Sequence, residues 1–83
     1  MKKIAYSKSS LKVLRRLPRN EAERITSKIE QYAKEPKSLA NNVRALVGSS
    51  YIRLRVGDWR IVMDDQGNVL EVIKIGARGE IYG

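Results

Sequence analysis

The chain of 83 residues has no cysteine, no histidine and no phenylalanine. Without cysteine there is neither a disulfide framework nor a thiolate metal site, which fits a reducing compartment and leads us to expect the cytoplasm. Without histidine, the commonest zinc ligand and the most frequent general base near neutral pH are both gone. Any catalysis must run on Arg, Lys, Tyr, Asp or Glu, and neither a metal nor another cofactor is expected. Long apolar runs are missing as well. Met1-Lys2-Lys3-Ile4-Ala5-Tyr6 has basic residues but no apolar h-region behind them, and no stretch approaches a membrane span, so no membrane partner is expected. Acids are scarce: 9 Asp and Glu stand against 17 Lys and Arg, for a formal net charge of +8. That balance points to a polyanionic partner such as RNA, DNA or an acidic protein. A chain this short has room for one domain, residues 1–83, with one compact core and one site.

What is present is organised around Tyr51-Ile52-Arg53-Leu54-Arg55-Val56-Gly57-Asp58-Trp59-Arg60-Ile61-Val62-Met63. Two alternating runs meet at Gly57-Asp58, and a Gly-first two-residue loop suits the type II′ turn of a β-hairpin. Counting outward from that turn puts Val56 opposite Trp59, Arg55 opposite Arg60, Leu54 opposite Ile61 and Arg53 opposite Val62. Opposed residues share a face. One face then carries Ile52, Leu54, Val56, Trp59, Ile61 and Met63, and the other carries Tyr51, Arg53, Arg55 and Arg60. Like charges set opposite each other on a sheet cost up to about 1 kcal/mol. Stability gives no reason to gather three guanidinium groups there, whereas an anionic ligand does.

The rest of the chain supplies a layer to cover the apolar face. Lys3–Ser7 reads as a first strand. Ser7 or Ser9 caps a helix with Leu11, Leu14 and Leu17 at helical spacing, and Pro18 ends it. Asn20 is the expected cap of a longer helix in which Ala22, Ile25, Ile29 and Tyr32 or Ala33 form an apolar stripe, and Pro36 stops it. Tyr6, Tyr32 and Trp59 read as packing residues. Residues 36–42 read as a polar loop and 43–47 as a short strand or extended segment. Asp64-Asp65-Gln66-Gly67-Asn68 is a turn, and Val69–Ile75 a last strand. A turn at Gln66-Gly67 sets Glu71 opposite Val62, on the arginine face beside Arg53. The tail Gly76-Ala77-Arg78-Gly79-Glu80-Ile81-Tyr82-Gly83 reads as a shaped loop that carries Arg78 and Tyr82 to the site. The expected class is α+β in two layers: an N-terminal strand, and two helices on one face of a mainly antiparallel three- to four-stranded sheet.

The segments Tyr51–Val62 and Ile73-Lys74-Ile75-Gly76-Ala77-Arg78-Gly79-Glu80-Ile81-Tyr82, with the Leu17-Pro18 break and the Glu35-Pro36 stop, resemble the RelE toxins of the RelE/ParE superfamily over almost the whole chain. The resemblance implies the RelE-like fold. It also implies a toxin that enters the ribosomal A site, cuts mRNA there without a metal, and is neutralised by a cognate antitoxin whose acidic or amphipathic segment covers the basic face. Carried over residue by residue, it places catalytic roles on Arg53, Arg60, Arg78 and Tyr82. Arg55, Tyr51 and Lys74 become RNA contacts, and Glu71 either a base or the salt-bridge partner of Arg53. Two departures stand out. Relatives with a lysine base on the sheet are matched here by Tyr51 and Arg53, and arginine does not give up its proton. The sequence ends at Gly83 without the C-terminal helix that several relatives carry, so contacts through that helix do not carry over. Two alternatives remain open: a ParE-like inhibitor of DNA gyrase without nuclease chemistry, and a weakened relative that only binds its antitoxin.

Overall fold

The hairpin forms in the register counted from its turn. In the computed structural model, which describes residues 1–79, Val56 faces Trp59, Arg55 faces Arg60, Leu54 faces Ile61, Arg53 faces Val62 and Ile52 faces Met63. Gly57 has φ +59° and, among the described residues, no non-glycine residue has positive φ, so the turn has its left-handed residue at the first position alone, as type II′ requires. A Cβ on Gly57 would also sit 3.1 Å from Nη1 of Arg24.

The elements run β1 (Lys3–Tyr6), α1 (Lys8–Arg16), α2 (Arg19–Lys34), a kinked 3-10 segment (Pro36–Asn42), β2 (Val43–Ala45), β3 (Tyr51–Val56), β4 (Trp59–Asp65) and β5 (Val69–Ala77). The sheet order is β1-β5-β4-β3-β2. Four strands are antiparallel neighbours, and the N-terminal strand adds a parallel fifth beside β5. Ile25, Ile29, Tyr32 and Ala33 of α2 are buried against Leu54, Val56, Ile61, Met63, Leu70, Val72 and Ile75, with Val13, Leu14, Leu17, Ile52, Trp59 and Tyr6 packed around them. The helices therefore cover one sheet face, and the arginine face is left open.

Three local expectations need correction. Leu11 is 37 % exposed, and the α1 residue fully buried in its place is Ser10. The second helix starts at Arg19, capped by Pro18 and not by Asn20. The Pro18 carbonyl accepts from the backbone N–H groups of Glu21 and Ala22, a cap with no side-chain signature. Residues 36–42 are not a plain loop, since Leu39 at their kink is buried under the core.

The fourth correction concerns the last strand. Asp65 pairs with Leu70, Asp64 with Glu71 and Met63 with Val72, but Val62 then pairs with Lys74. Ile73 is left over as a β-bulge. Glu71 therefore lies opposite Asp64 and not opposite Val62, and Lys74 takes the place beside the Arg53 row. The bulge falls where β1 ends and α1 begins. There the Val72 carbonyl accepts from Ser7 N (3.0 Å) and Ser10 Oγ (3.3 Å). Ser7 Oγ accepts from Ser10 N (3.1 Å), and it lies 2.8 Å from both the Ile73 carbonyl and Ser10 Oγ, which share its one proton. The serine that caps α1 thus also satisfies the bulge, as buried carbonyls require.

A second clasp ties the chain start to the 64–68 turn. Lys2 Nζ is 3.0 Å from Asp65 Oδ1, and Tyr32 OH donates to Asp65 Oδ2 at 3.1 Å. Burial, reinforced by the Asp65 charge and hydrogen bond, pushes Tyr32 up to about 12. Burial works to raise Asp65, yet the Lys2, Gly67 N–H and Tyr32 contacts together hold it below its ordinary value. An unfolded tyrosine releases its proton near 10, whereas folded Tyr32 keeps its own until about 12. Its contribution is whole below the lower value and lost as pH climbs through the higher one.

Two outcomes are expected. Ser7→Ala removes both the cap and a bulge contact and should cost about 1–2 kcal/mol in urea unfolding. Tyr32→Phe should flatten the loss of stability that the native chain shows between pH of about 10 and about 12. An unchanged alkaline limb would remove the clasp from the account.

Candidate nucleic-acid interface

The strand registers align the open face in rows. One row runs Arg44, Arg53, Val62, Lys74 across β2, β3, β4 and β5. The next, toward the hairpin turn, holds Arg55, Arg60 and Gly76. A third, at the opposite end, holds Tyr51, Asp64 and Glu71. With strands about 4.8 Å apart, the first row sets its cations across about 14 Å. Arg44, Arg55 and Lys74 are exposed, while Arg53 and Arg60 are half-buried. Val62 is only 9 % exposed although it lies on this open face, between the rows' long side chains. An open depression of about 390 Å³ is lined by Ala40, Asn41, Asn42, Val43, Arg44, Arg53, Arg55 and Arg60.

Each side chain is placed by its strand. Arg60 Nη1 donates to the Gly57 carbonyl and to its own neighbour's, Trp59, both at 3.0 Å, so the guanidinium is folded over the turn, and Nε and Nη2 have no hydrogen-bond partner among the described residues. The Arg78 backbone N–H donates to the Asp58 carbonyl at 2.7 Å, which ties the loop after β5 to the same turn. Arg55, Arg60 and Arg78 thus gather at one end of the face. Tyr82 lies outside the described residues.

The acids sit apart. Ser50 Oγ donates to Asp64 at 2.6 Å and Gln66 Nε2 donates at 3.0 Å, and these bonds hold the carboxyl below its ordinary value. Neither arginine row contains a carboxylate. Among the described residues, no cluster of His, Cys, Asp and Glu could hold a metal ion. Such a surface can bind successive phosphates with guanidinium forks and stabilise charge that builds on one of them. Of the residues singled out in the sequence, Arg53, Arg55, Arg60 and Lys74 come together, with the Arg78 backbone at the rim, and Tyr51 and Glu71 fall in the acidic row. Sequence reasoning missed Arg44, Asn41 and Asn42. A turn at Gly48, which has φ +80°, would have set Arg44 opposite Arg53.

Opposed arginines carry a stability cost that a substitution should relieve. Arg55→Gln, which leaves Arg60 without a like charge opposite, should stabilise the fold by about 0.2–1 kcal/mol at low salt, with the gain shrinking at high salt. Thermal unfolding at two ionic strengths checks this, and a salt-independent loss of stability would contradict it.

The ParE toxin model of the type II toxin-antitoxin system parDE matches residues 4–82. No curated protein matches the sequence. Among solved structures, the chain is similar to the archaeal RelE-RelB complex from Pyrococcus horikoshii OT3, with TM-score 0.78 and 24 % identity over 95 % of this chain and 97 % of that one. The intact E. coli RelBE toxin-antitoxin complex gives TM-score 0.72 and 22 % identity over 96 % and 99 %. The isolated E. coli RelE toxin gives 0.67 and 27 % over 99 % and 92 %. With the family model spanning residues 4–82 and the fold similar to that of RelE structures, the chain belongs to the ParE toxin family of type II toxin-antitoxin systems, within the RelE/ParE superfamily.

Proposed function

We propose that the chain is a ribosome-dependent endoribonuclease, one RelE-like domain over residues 1–83, that acts in the cytoplasm on mRNA in the A site. The observation that carries this reading is the pair of rows holding Arg44, Arg53, Arg55, Arg60 and Lys74 with no carboxylate among them. Cleavage joins the 2′ oxygen to the adjacent phosphorus and breaks the bond to the 5′ oxygen. The 2′ proton is lost, the 5′ oxygen gains one, and a cyclic 2′,3′-phosphate remains.

Arg60 and Arg78 would clamp the scissile phosphate, and Arg53 would stabilise the added negative charge of the phosphorane. Arg44, Arg55 and Lys74 would hold flanking phosphates. Tyr82 would stack on an unpaired base or assist proton transfer, and Tyr51 would serve as a second stacking surface. Glu71, opposite Asp64 and out of the Arg53 row, fits an outer contact better than a base. Nothing in the arginine rows is a ready proton acceptor, so the acceleration would come from in-line positioning by the ribosome and from charge stabilisation. A partner antitoxin, through an acidic or amphipathic segment, would silence the chain by covering the same rows. RelE-RelB and RelBE, the similar structures, are themselves toxin-antitoxin complexes.

A second reading, inhibition of DNA gyrase by binding alone, is favoured by the description of the matching family model as a ParE toxin. Mapping mRNA ends in a translating extract separates the two. The nuclease reading expects A-site cuts whose rate drops about 10²–10³-fold in Arg60→Ala or Arg78→Ala. Intact mRNA with loss of gyrase supercoiling would establish the other reading.

A further inference from the structure

Charge is segregated along the chain as well as across the sheet. The first acid is Glu21, and 7 Lys and Arg precede it. Five of them, Lys8, Lys12, Arg15, Arg16 and Arg19, fall in or just after α1, at spacings of four, three, one and three residues. On a helix of 3.6 residues per turn the four within α1, Lys8, Lys12, Arg15 and Arg16, share one face, and it points away from the face that carries Ser10, Val13, Leu14 and Leu17 into the core, while Arg19 opens α2. All five are exposed. Arg19 pairs with Glu23, and among the described residues Lys8, Lys12, Arg15 and Arg16 have no ion pair.

Helix stability explains only part of this. Arg15 and Arg16 lie in the last turn, where the macrodipole favours cations. Lys8 lies in the first turn, where it opposes the dipole and no acid offsets it. Lys12 stands four residues from Lys8 and three and four from Arg15 and Arg16, which are repulsive spacings. An acidic protein partner would want an apolar centre, and the stripe offers only Leu11, 37 % exposed, at its flank. A phosphodiester backbone needs no such centre and accepts flexible cations at the 5–6 Å spacing of helix neighbours.

We propose that α1 is a second, sequence-independent docking surface for the phosphate backbone of structured RNA, on the layer opposite the sheet face that takes the strand to be cut. The choice of RNA over DNA rests on the nuclease reading above. Contacts on both layers would seat the molecule between two RNA segments.

The test is fluorescence anisotropy with an RNA hairpin and a DNA duplex of equal length across a salt series, using the full chain. The variant Lys8→Gln/Lys12→Gln/Arg15→Gln/Arg16→Gln should bind the RNA hairpin at least tenfold more weakly, with a log–log salt slope shallower by about 3. Lys8→Arg/Lys12→Arg, which keeps the charge, should bind as the native chain does. Unchanged affinity and slope in the four-fold variant would overturn the proposal. So would a DNA duplex bound as tightly as the RNA hairpin, or equal weakening by the charge-conserving variant. If the native chain leaves mRNA intact in the extract while the α1 effect on the RNA hairpin persists, the docking surface stands and the nuclease reading alone fails.

Discussion

The geometry of the open face depends on one irregularity, the bulge at Ile73 and the serines that hold it. Below the bulge, Leu70 and Val72 point into the core, and above it Ile75 does. Those positions differ in parity, so a regular strand could bury one set only by exposing the other. One extra residue resolves the conflict and puts Lys74 across from Val62 and Gly76 across from Arg60. The carbonyls at this break are met by Ser7 and Ser10 at the start of α1. Helix entry, strand register and placement of the cationic rows are thus a single arrangement, and strain at any of the three is felt at the others.

Against that scaffold, the charge pattern runs contrary to stability. Arg44 opposes Arg53 and Arg55 opposes Arg60, while the carboxylates of Asp64 and Glu71 are opposed to each other in the next row. A fold of this size has little stability to spare. Repeated like-charge pairing on an open face is intelligible when a polyanion completes it. The basic stripe on α1 extends the same charge pattern to the other layer, so that the two surfaces present cations on both sides of the molecule.

How much of this could be read in the sequence follows from where the signal resides. The hairpin was legible because its alternation and Gly57 leave one register, and the α2 stripe because Ile25, Ile29, Tyr32 and Ala33 keep helical spacing. The α2 cap was not, since Pro18 acts through its carbonyl, which every residue possesses. Leu39 looked like a loop residue because a single apolar side chain carries no period. Arg44 was hidden by the brevity of β2, three residues long. The bulge did leave a trace in the change of parity from Leu70 and Val72 to Ile75. A turn placed at Gln66-Gly67 kept Glu71 on the correct face but two positions from its true partner, Asp64.

The central claim is that the cationic rows of the sheet form the binding site for a single RNA strand. It is tested most directly by following the arginine Nε–Hε and lysine Nζ resonances while a short 2′-O-methyl oligoribonucleotide, which cannot be cut through its 2′ oxygen, is added. The account predicts that the signals of Arg44, Arg53, Arg55, Arg60 and Lys74 shift together along one saturable curve, and that their apparent affinity falls steeply with salt. Shifts confined to residues outside the sheet face, with these five unmoved at saturation, would contradict it.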